Sequence, residues 1–420
     1  MSNTRHGVLG FAFGLAIITY LDRICISAAA PYIMRDLGLT VLDMSLVFSA
    51  FTLAYSLFEV PTGWMGDVMG PRRVLTRVVL WWSGFTMLTG AAWNYLSLLV
   101  IRFLFGAGEA GAFPNASRSF SRWFPLQERG KANGILFLGS RLGGALAPIL
   151  ALLLIRNWGW RESFAVFGSI GIFWALAWYR WYRDEPSQHP AVNSQELAWI
   201  EQDSADSKAH TSENLTRAIP WRQILTSPNL LAICGMYFAF GYGLYFYFTW
   251  LPTYLIQVLK FSDLAAGILA GLPFLLAGGA DLLGGWLTDR LAMTFNLRIA
   301  RCWLGFSSFG GSAILLFAST QANDRWTKAI LIALALASAD LALSACWAVC
   351  LDVGRPYAGI VTGCMNTFGN LGGFLGPMVL GYAVERWNSW TLPFYVSAAV
   401  YAAGALLWLA VRPKEQLAPG

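Results

Sequence analysis

Long apolar runs, broken by short polar stretches, dominate the chain. A helix needs about 20 mainly apolar residues to cross a bilayer. Segments near 8–33, 44–65, 74–93, 95–117, 132–155, 162–181, 230–257, 264–287, 302–319, 327–350, 358–384 and 391–411 meet that need. Between the sixth and seventh lies a polar stretch, 183–228, holding Glu196, Glu201, Asp203, Asp206 and Glu213. The pattern predicts an all-α polytopic membrane protein with twelve transmembrane helices in two pseudo-symmetric six-helix bundles. The N-terminal bundle would occupy 1–182, a cytoplasmic linker 183–228 and the C-terminal bundle 229–420.

The halves repeat in sequence. Segment 63-GWMGD-67 ends the second span and 285-GWLTD-289 the eighth. Segment 142-LGGALAP-148 lies in the fifth span and 371-LGGFLGP-377 in the eleventh. Gly130 and Gly134 precede the former as Gly359 and Gly363 precede the latter, at the same offset. Two parallel six-helix repeats with a site between them is a transporter plan.

Composition supports the pattern. Hydrophobic residues make up 56% of the 420, and only 12% are charged, against roughly 25% in soluble proteins. Mean hydropathy is +0.52. The 20 Trp and 42 Gly suit bilayer interfaces and close helix packing. The net charge of +6 is dispersed and forms no stripe for phosphates, which argues against nucleic acid. All six Cys fall in apolar segments without a CxxC pair and read as small buried hydrophobes. His6, His189 and His210 lie in polar segments, so proton chemistry within the membrane falls to carboxylates. With no P-loop, GxSxG, HExxH or zinc-spaced His/Cys set, no enzyme of a known type, cofactor or metal is expected. Arg5, an apolar run and Ala28–Ala30 imitate a signal peptide. The run fits as the first of many spans, so no cleavage is expected.

Orientation follows the Lys/Arg bias. With both termini cytoplasmic, the outer side receives only Arg35, Arg156, Arg161, Lys260, Arg325, Lys328 and Arg386 of the 29. Arg23, Arg102 and Arg141 remain inside spans. An Arg at mid-span costs roughly 2.5–3.5 kcal/mol on the insertion scale, so these three need a purpose. In 20-YLDRICIS-27, Asp22 and Arg23 point about 100° apart on a helix and can serve different neighbours. Arg102 and Glu109, seven apart, share one helix face. They form either a solute or proton site or a structural pairing, such as Arg102 with Glu109. Glu59 in 58-FEVPTG-63 and the second-half acids Asp281 and Asp340 are further intramembrane carboxylates, each a proton site or a helix-to-helix bond.

Segment 63-GWMGDVMGPRR-73 joins spans two and three. Its glycines permit a tight turn, Asp67 can meet helix N-termini or a cation, and Arg72 and Arg73 anchor the loop inside. It resembles the loop signature of the major facilitator superfamily, with Val68 where a basic residue is common. The resemblance implies a gating role for Asp67, Arg72, Arg73 and the repeat's Asp289. A polar turn with a positive anchor remains compatible.

Tyr20-x-Asp22-Arg23 together with Arg102-x6-Glu109 resembles the anion:cation symporter family of that superfamily, which includes sugar-acid transporters and sialin. The similarity covers nearly the whole chain, through 242-YGLYFYFTWLPTYL-255, 345-ACWAVCLDV-353 and 366-NTFGNLGG-373. It implies that Arg23 and Arg102 hold a substrate carboxylate and that Asp22 and Glu109 carry protons. It also implies that Tyr20, Tyr55, Trp347 and Asn366 line the site. The fifth span departs from sugar-acid members: 139-GSRLGG-144 offers Ser140 and Arg141 but no Gln. Arg141 would suit a second anionic group, since guanidinium gives bidentate donors, or it pairs with Glu59.

The expectation is therefore proton-coupled symport of an organic anion, a carboxylate such as a sugar acid or dicarboxylate, by alternating access. The setting is a bacterial inner membrane, and the chain is taken as a monomer with protons, a small organic anion and the bilayer as its partners. An organic anion/phosphate antiporter is the alternative. A transporter-like sensor would need 183–228 to contact a partner, and that stretch has no evident interaction motif.

Overall fold

A computed structural model describes residues 2–201 and 221–415, the side chains of Asp67, Leu126, Trp221 and Pro356 excepted. Of the expected linker, Asp203, Asp206, His210 and Glu213 lie outside the described residues.

The first half consists of α1 (Thr4–Leu37), α2 (Val41–Met69), α3 (Pro71–Gly90), α4 (Tyr95–Glu109), α5 (Ala112–Trp123), α6 (Leu126–Trp158) and α7 (Trp160–Trp181). A short α8 (Ser194–Glu201) follows. The second half has α9 (Pro228–Thr249), extended through Tyr254–Val258, then α10 (Asp263–Thr294) and α11 (Leu304–Gln321). It ends with α12 (Arg325–Asp340), α13 (Leu343–Gly354), α14 (Ala358–Trp387) and α15 (Leu392–Ala410). Among the described residues, ten helical stretches are long and apolar enough to cross a membrane, with α4–α5 and α12–α13 each counting as one. The other two long rods among the described residues, α3 and α14, carry the reasons in their sequences. Arg72, Arg73 and Arg77 begin the former, and seven glycines with Asn366 and Asn370 dilute the latter.

Local chemistry sets the boundaries. Gly70 adopts φ +81°, and Pro71 then opens α3, where its missing N–H leaves nothing unsatisfied. Asn94 caps α4 in a reciprocal box with Ser97. The expected third span therefore stops at Gly90 rather than 93, because 91–94 turn to supply that cap. The expected fourth span is interrupted at Ala110–Gly111, between α4 and α5. Ser262 and Asp324 cap α10 and α12.

The chain forms two compact units. The first comprises Met1–Cys25, Leu53–Ala147 and Leu153–Ala218; the second comprises Ile26–Thr52, Pro148–Leu152 and Ile219–Gly420. The boundary thus differs from a simple cut at 182, since 26–52 and 148–152 pack with the second unit.

Within the first unit, α6 approaches α1 closely. A Cβ on Gly139 or Gly143 would lie 2.7 Å from the carbonyl oxygen of Phe13 or Ile17 respectively. Only glycine admits that spacing. Within the second unit, α9 meets α14 the same way: a Cβ on Gly372 would collide with the Phe238 carbonyl oxygen. Five cysteines are buried and Cys364 is half-buried; all six are free thiols.

The described linker residues 183–201 belong to the first unit through specific bonds. Glu196 on α8 accepts from the Ser2 hydroxyl (2.6 Å) and from the backbone N–H groups of Thr4 (3.1 Å) and Arg5 (3.0 Å). It thereby satisfies open donors at the start of α1. Arg5 Nε donates to Glu128 at 3.1 Å, and Trp199 Nε1 donates to the same carboxylate at 3.3 Å. Burial alone would raise the pKa of Glu196. The hydrogen bonds from Arg5, Ser2 and Thr4 outweigh it and hold the carboxyl below its ordinary value. His189 packs edge-on to Trp123 and Trp181. Burial and the Arg183 charge hold its pKa below the usual histidine value.

Candidate functional site

In the first unit, α1 and α4 bring together four of the charges that the apolar spans contain, with Tyr55 of α2 beside them. Arg23 leaves α1 toward α4, where its Nε donates to Glu109 Oε1 at 2.8 Å and its Nη2 pairs with the same oxygen. Glu109 is fully buried, and the Arg23 side chain is 10% exposed. The Arg23 guanidinium lies over two aromatic rings, Tyr20 at 5.2 Å and Tyr55 at 5.0 Å from their centroids. Both rings offer their negative faces to the cation. Tyr20 continues into Phe113, edge-on at 6.3 Å, and Phe113 stacks on Phe137 at 6.0 Å.

Asp22 takes a different direction. It is fully buried and accepts from Trp82 Nε1 on α3 at 3.0 Å. Arg102 is 1% exposed, its guanidinium 4.0 Å from the centroid of Phe105. Glu109 and Arg102 do share a helix, as their spacing implies, but Glu109 is bonded to Arg23.

On α6, Ser140 is buried and donates to the Leu136 carbonyl at 3.3 Å, while Arg141 is half-buried. The close contact through Gly139 and Gly143 sets this stretch beside Tyr20. Glu59 on α2 is also half-buried.

The remaining expected site residues belong to the second unit. Trp347 on α13 is 39% exposed and edge-on to Tyr237. Asn366 on α14 is half-buried. Asp340 is fully buried at the end of α12, and Asp281 is half-buried on α10. Among the described residues no group of three His, Cys, Asp or Glu is arranged to hold a metal ion.

The loop residues have concrete neighbours. The Asp67 side chain lies outside the described residues. Arg72 donates from Nε and Nη2 to the Tyr179 carbonyl at 3.0 and 2.7 Å, at the C-terminal end of α7. That end attracts a cation. The Arg72 backbone N–H donates to Asp184 Oδ1 at 3.0 Å, and Arg122 approaches the same oxygen at 3.9 Å. Arg73 and Asp289 are exposed. In the second unit, Arg301 pairs with Asp352 at 2.9 Å and donates to Thr288 Oγ1 at 2.8 Å. Asp184, Arg301 and Trp82 carried no signal in the sequence beyond their residue type.

Comparison with known proteins decides the family. Residues 12–377 match the Major Facilitator Superfamily. The chain belongs to it. This is a family of membrane transporters, not enzymes. The chain is 38% identical over 411 residues to a probable sulfoacetate transporter of Cupriavidus necator, covering 98% of this chain and 94% of that one. It is 32% identical over 403 residues to a probable galactarate/D-glucarate transporter of Escherichia coli, covering 92% and 89%. Its fold matches an inward-facing, unoccupied bacterial homologue of the human lysosomal transporter Spinster. The TM-score there is 0.76 at 19% identity, over 98% of this chain and 94% of the other. A D-xylose–proton symporter gives a TM-score of 0.75 at 13% identity, over 97% and 98%.

Proposed function

We propose that this transporter moves a small organic anion across a bacterial cytoplasmic membrane together with protons, by alternating access. The observation that carries this reading is the buried Arg23–Glu109 ion pair. Breaking a buried pair by removing one charge leaves the other uncompensated, at a cost of about 3–5 kcal/mol. When a proton neutralises Glu109, Arg23 must find another anion. A substrate carboxylate or sulfonate fits that need, and guanidinium binds either group through two parallel hydrogen bonds. Proton and anion enter together and neither loads well alone, which is the logic of symport. The anionic substrates in the names of the relatives above support the choice of cargo.

Tyr20 and Tyr55 would flank the bound anion, with Arg102 adding positive field from beneath. Ser140 and Arg141 would contact its far end. Trp347 and Asn366 would contribute from the other half of the chain, and Asp22 would carry a second proton. Asp67, Arg72, Arg73 and Asp289 would latch the cytoplasmic side. Both termini would face the cytoplasm.

The test is uptake of labelled sulfoacetate and D-glucarate into proteoliposomes under an imposed inward proton gradient. The gradient is expected to drive accumulation of at least one of them. Glu109→Gln is expected to lose gradient-driven accumulation by roughly tenfold or more, the equivalent of about 1.4 kcal/mol, while keeping counterflow exchange. Uptake indifferent to the gradient, or undiminished in Glu109→Gln, would overturn the coupling.

A further inference from the structure

Asp22 and Trp82 form a buried pair that the ion pair beside them does not explain. Both residues are 0% exposed, and the indole Nε1–H donates to Asp22 Oδ2 at 3.0 Å. The other oxygen, Oδ1, is buried and has no hydrogen-bond partner among the described residues. Indole nitrogen is a donor only, so it can neither take a proton from the carboxyl nor accept one. It occupies Oδ2 in whichever form the carboxyl adopts. A buried polar atom left without a partner costs roughly 1–3 kcal/mol, which makes Oδ1 the place where something must arrive.

We propose that Trp82 is a positioning residue for proton transfer at Asp22: its N–H fixes Oδ2 as the carbonyl oxygen and reserves Oδ1 for the proton. The inference rests on the proton-coupled reading above and adds to it a residue and a named atom. A proton adding to Oδ1 leaves Oδ2 as C=O, still accepting from Trp82, and its departure restores the carboxylate. The groups facing Asp22 are Arg102 and Glu109 on α4 and Trp82 with the Thr86 hydroxyl on α3; Arg23 and Cys25 are its neighbours on α1. Thr86 spends its proton on the Trp82 carbonyl at 3.0 Å, which ties the hydroxyl to the same helical turn that presents the indole. A purely space-filling tryptophan would not aim its one polar atom at a buried carboxylate.

The test is infrared difference spectroscopy of the purified full chain in detergent or lipid, titrated from alkaline to acid pH. A carboxylic acid C=O band is expected to grow in wild type and to be missing in Asp22→Asn. In Trp82→Phe, which keeps an aromatic ring and drops the N–H, the same band is expected at higher frequency, because a carbonyl that loses a donor stiffens. Trp82→His, which restores a ring N–H, is expected to bring it back. A band that Asp22→Asn removes but Trp82→Phe leaves in place overturns the role of Trp82 while the proton reading stands. A wild-type spectrum with no band lost in Asp22→Asn overturns protonation of Asp22 itself. Should Trp82→Phe not fold, wild type labelled with 15N at its indoles supplies the same decision. One indole N–H resonance is expected to move with the acid titration and to stay fixed in Asp22→Asn; no such resonance overturns the proposal.

Discussion

Asp22 and Arg23 are neighbours in the chain and strangers in the fold. One serves α3 through Trp82, the other α4 through Glu109. Their divergence is legible in the sequence, because adjacent helical residues point about 100° apart. The partners are not legible. Nothing about Trp82 distinguishes it from nineteen other tryptophans until α3 sets it against Asp22. The spacing of Arg102 and Glu109 invites a pairing within one helix, yet Glu109 turns to the cation on α1. A second residue-scale case lies outside the spans. Glu196 is held below its ordinary pKa by bonds to Ser2, Thr4 and Arg5. A carboxyl whose pKa is depressed by folding adds stability above its unfolded value, about 4.3, and loses it as pH falls through the folded one. Glu196→Gln is therefore expected to lower the unfolding temperature near pH 7, and the gap to wild type is expected to narrow as pH falls below about 4.3 and to close only below the folded value. Unfolding scans of both proteins across pH check this; a gap that persists at acid pH would assign Glu196 no charge-dependent role.

At the scale of elements, spans announce themselves because the bilayer demands length and apolarity, and among the described residues twelve helical rods appear where the apolar runs predict them. Their ends were harder to place. The helices overrun the apolar runs at most ends: α1 covers 4–37 where the apolar pattern marks 8–33. Continuing the helix keeps backbone groups satisfied as polar side chains reach water. The Ala110–Gly111 break escapes a hydropathy pattern because the averaged window runs on across it and only the backbone changes. Glycine contacts can be tested element by element. Gly143→Ala would put a Cβ 2.7 Å from the Ile17 carbonyl oxygen, and overpacking of this kind costs about 1–3 kcal/mol. Gly10 on α1 has nothing within 4 Å of the same added atom, so Gly10→Ala is expected to be neutral or stabilising by up to about 1 kcal/mol through helix propensity. Thermal unfolding of the two variants side by side separates close packing from glycine content.

For the whole molecule, the sequence repeat does not tell how the chain divides into compact units, since 26–52 and 148–152 join the second unit through packing. The departure at Arg141 bears on what the transporter carries. If Arg141 meets a second anionic group, then dianions such as sulfoacetate and D-glucarate are expected to raise the unfolding temperature more than acetate does. At a hundredfold excess over the dissociation constant a ligand adds about 2.7 kcal/mol. Arg141→Gln is expected to erase the difference between dianion and monoanion; an undiminished difference would return Arg141 to a structural partner of Glu59. The burial of the native thiols has a practical consequence for following such a molecule at work. With Cys25, Cys234, Cys302, Cys346 and Cys350 shielded and Cys364 half-covered, the natural chain is close to a blank background for site-directed labelling. Replacing Cys364 alone is expected to leave a folded transporter that reacts slowly with maleimide reagents. A single new cysteine on an exposed position such as Trp64 or Phe295 would then take a spin label or fluorophore selectively. Pairs of such labels would let the transport cycle be timed by distance, with the buried sulfur left as nature placed it.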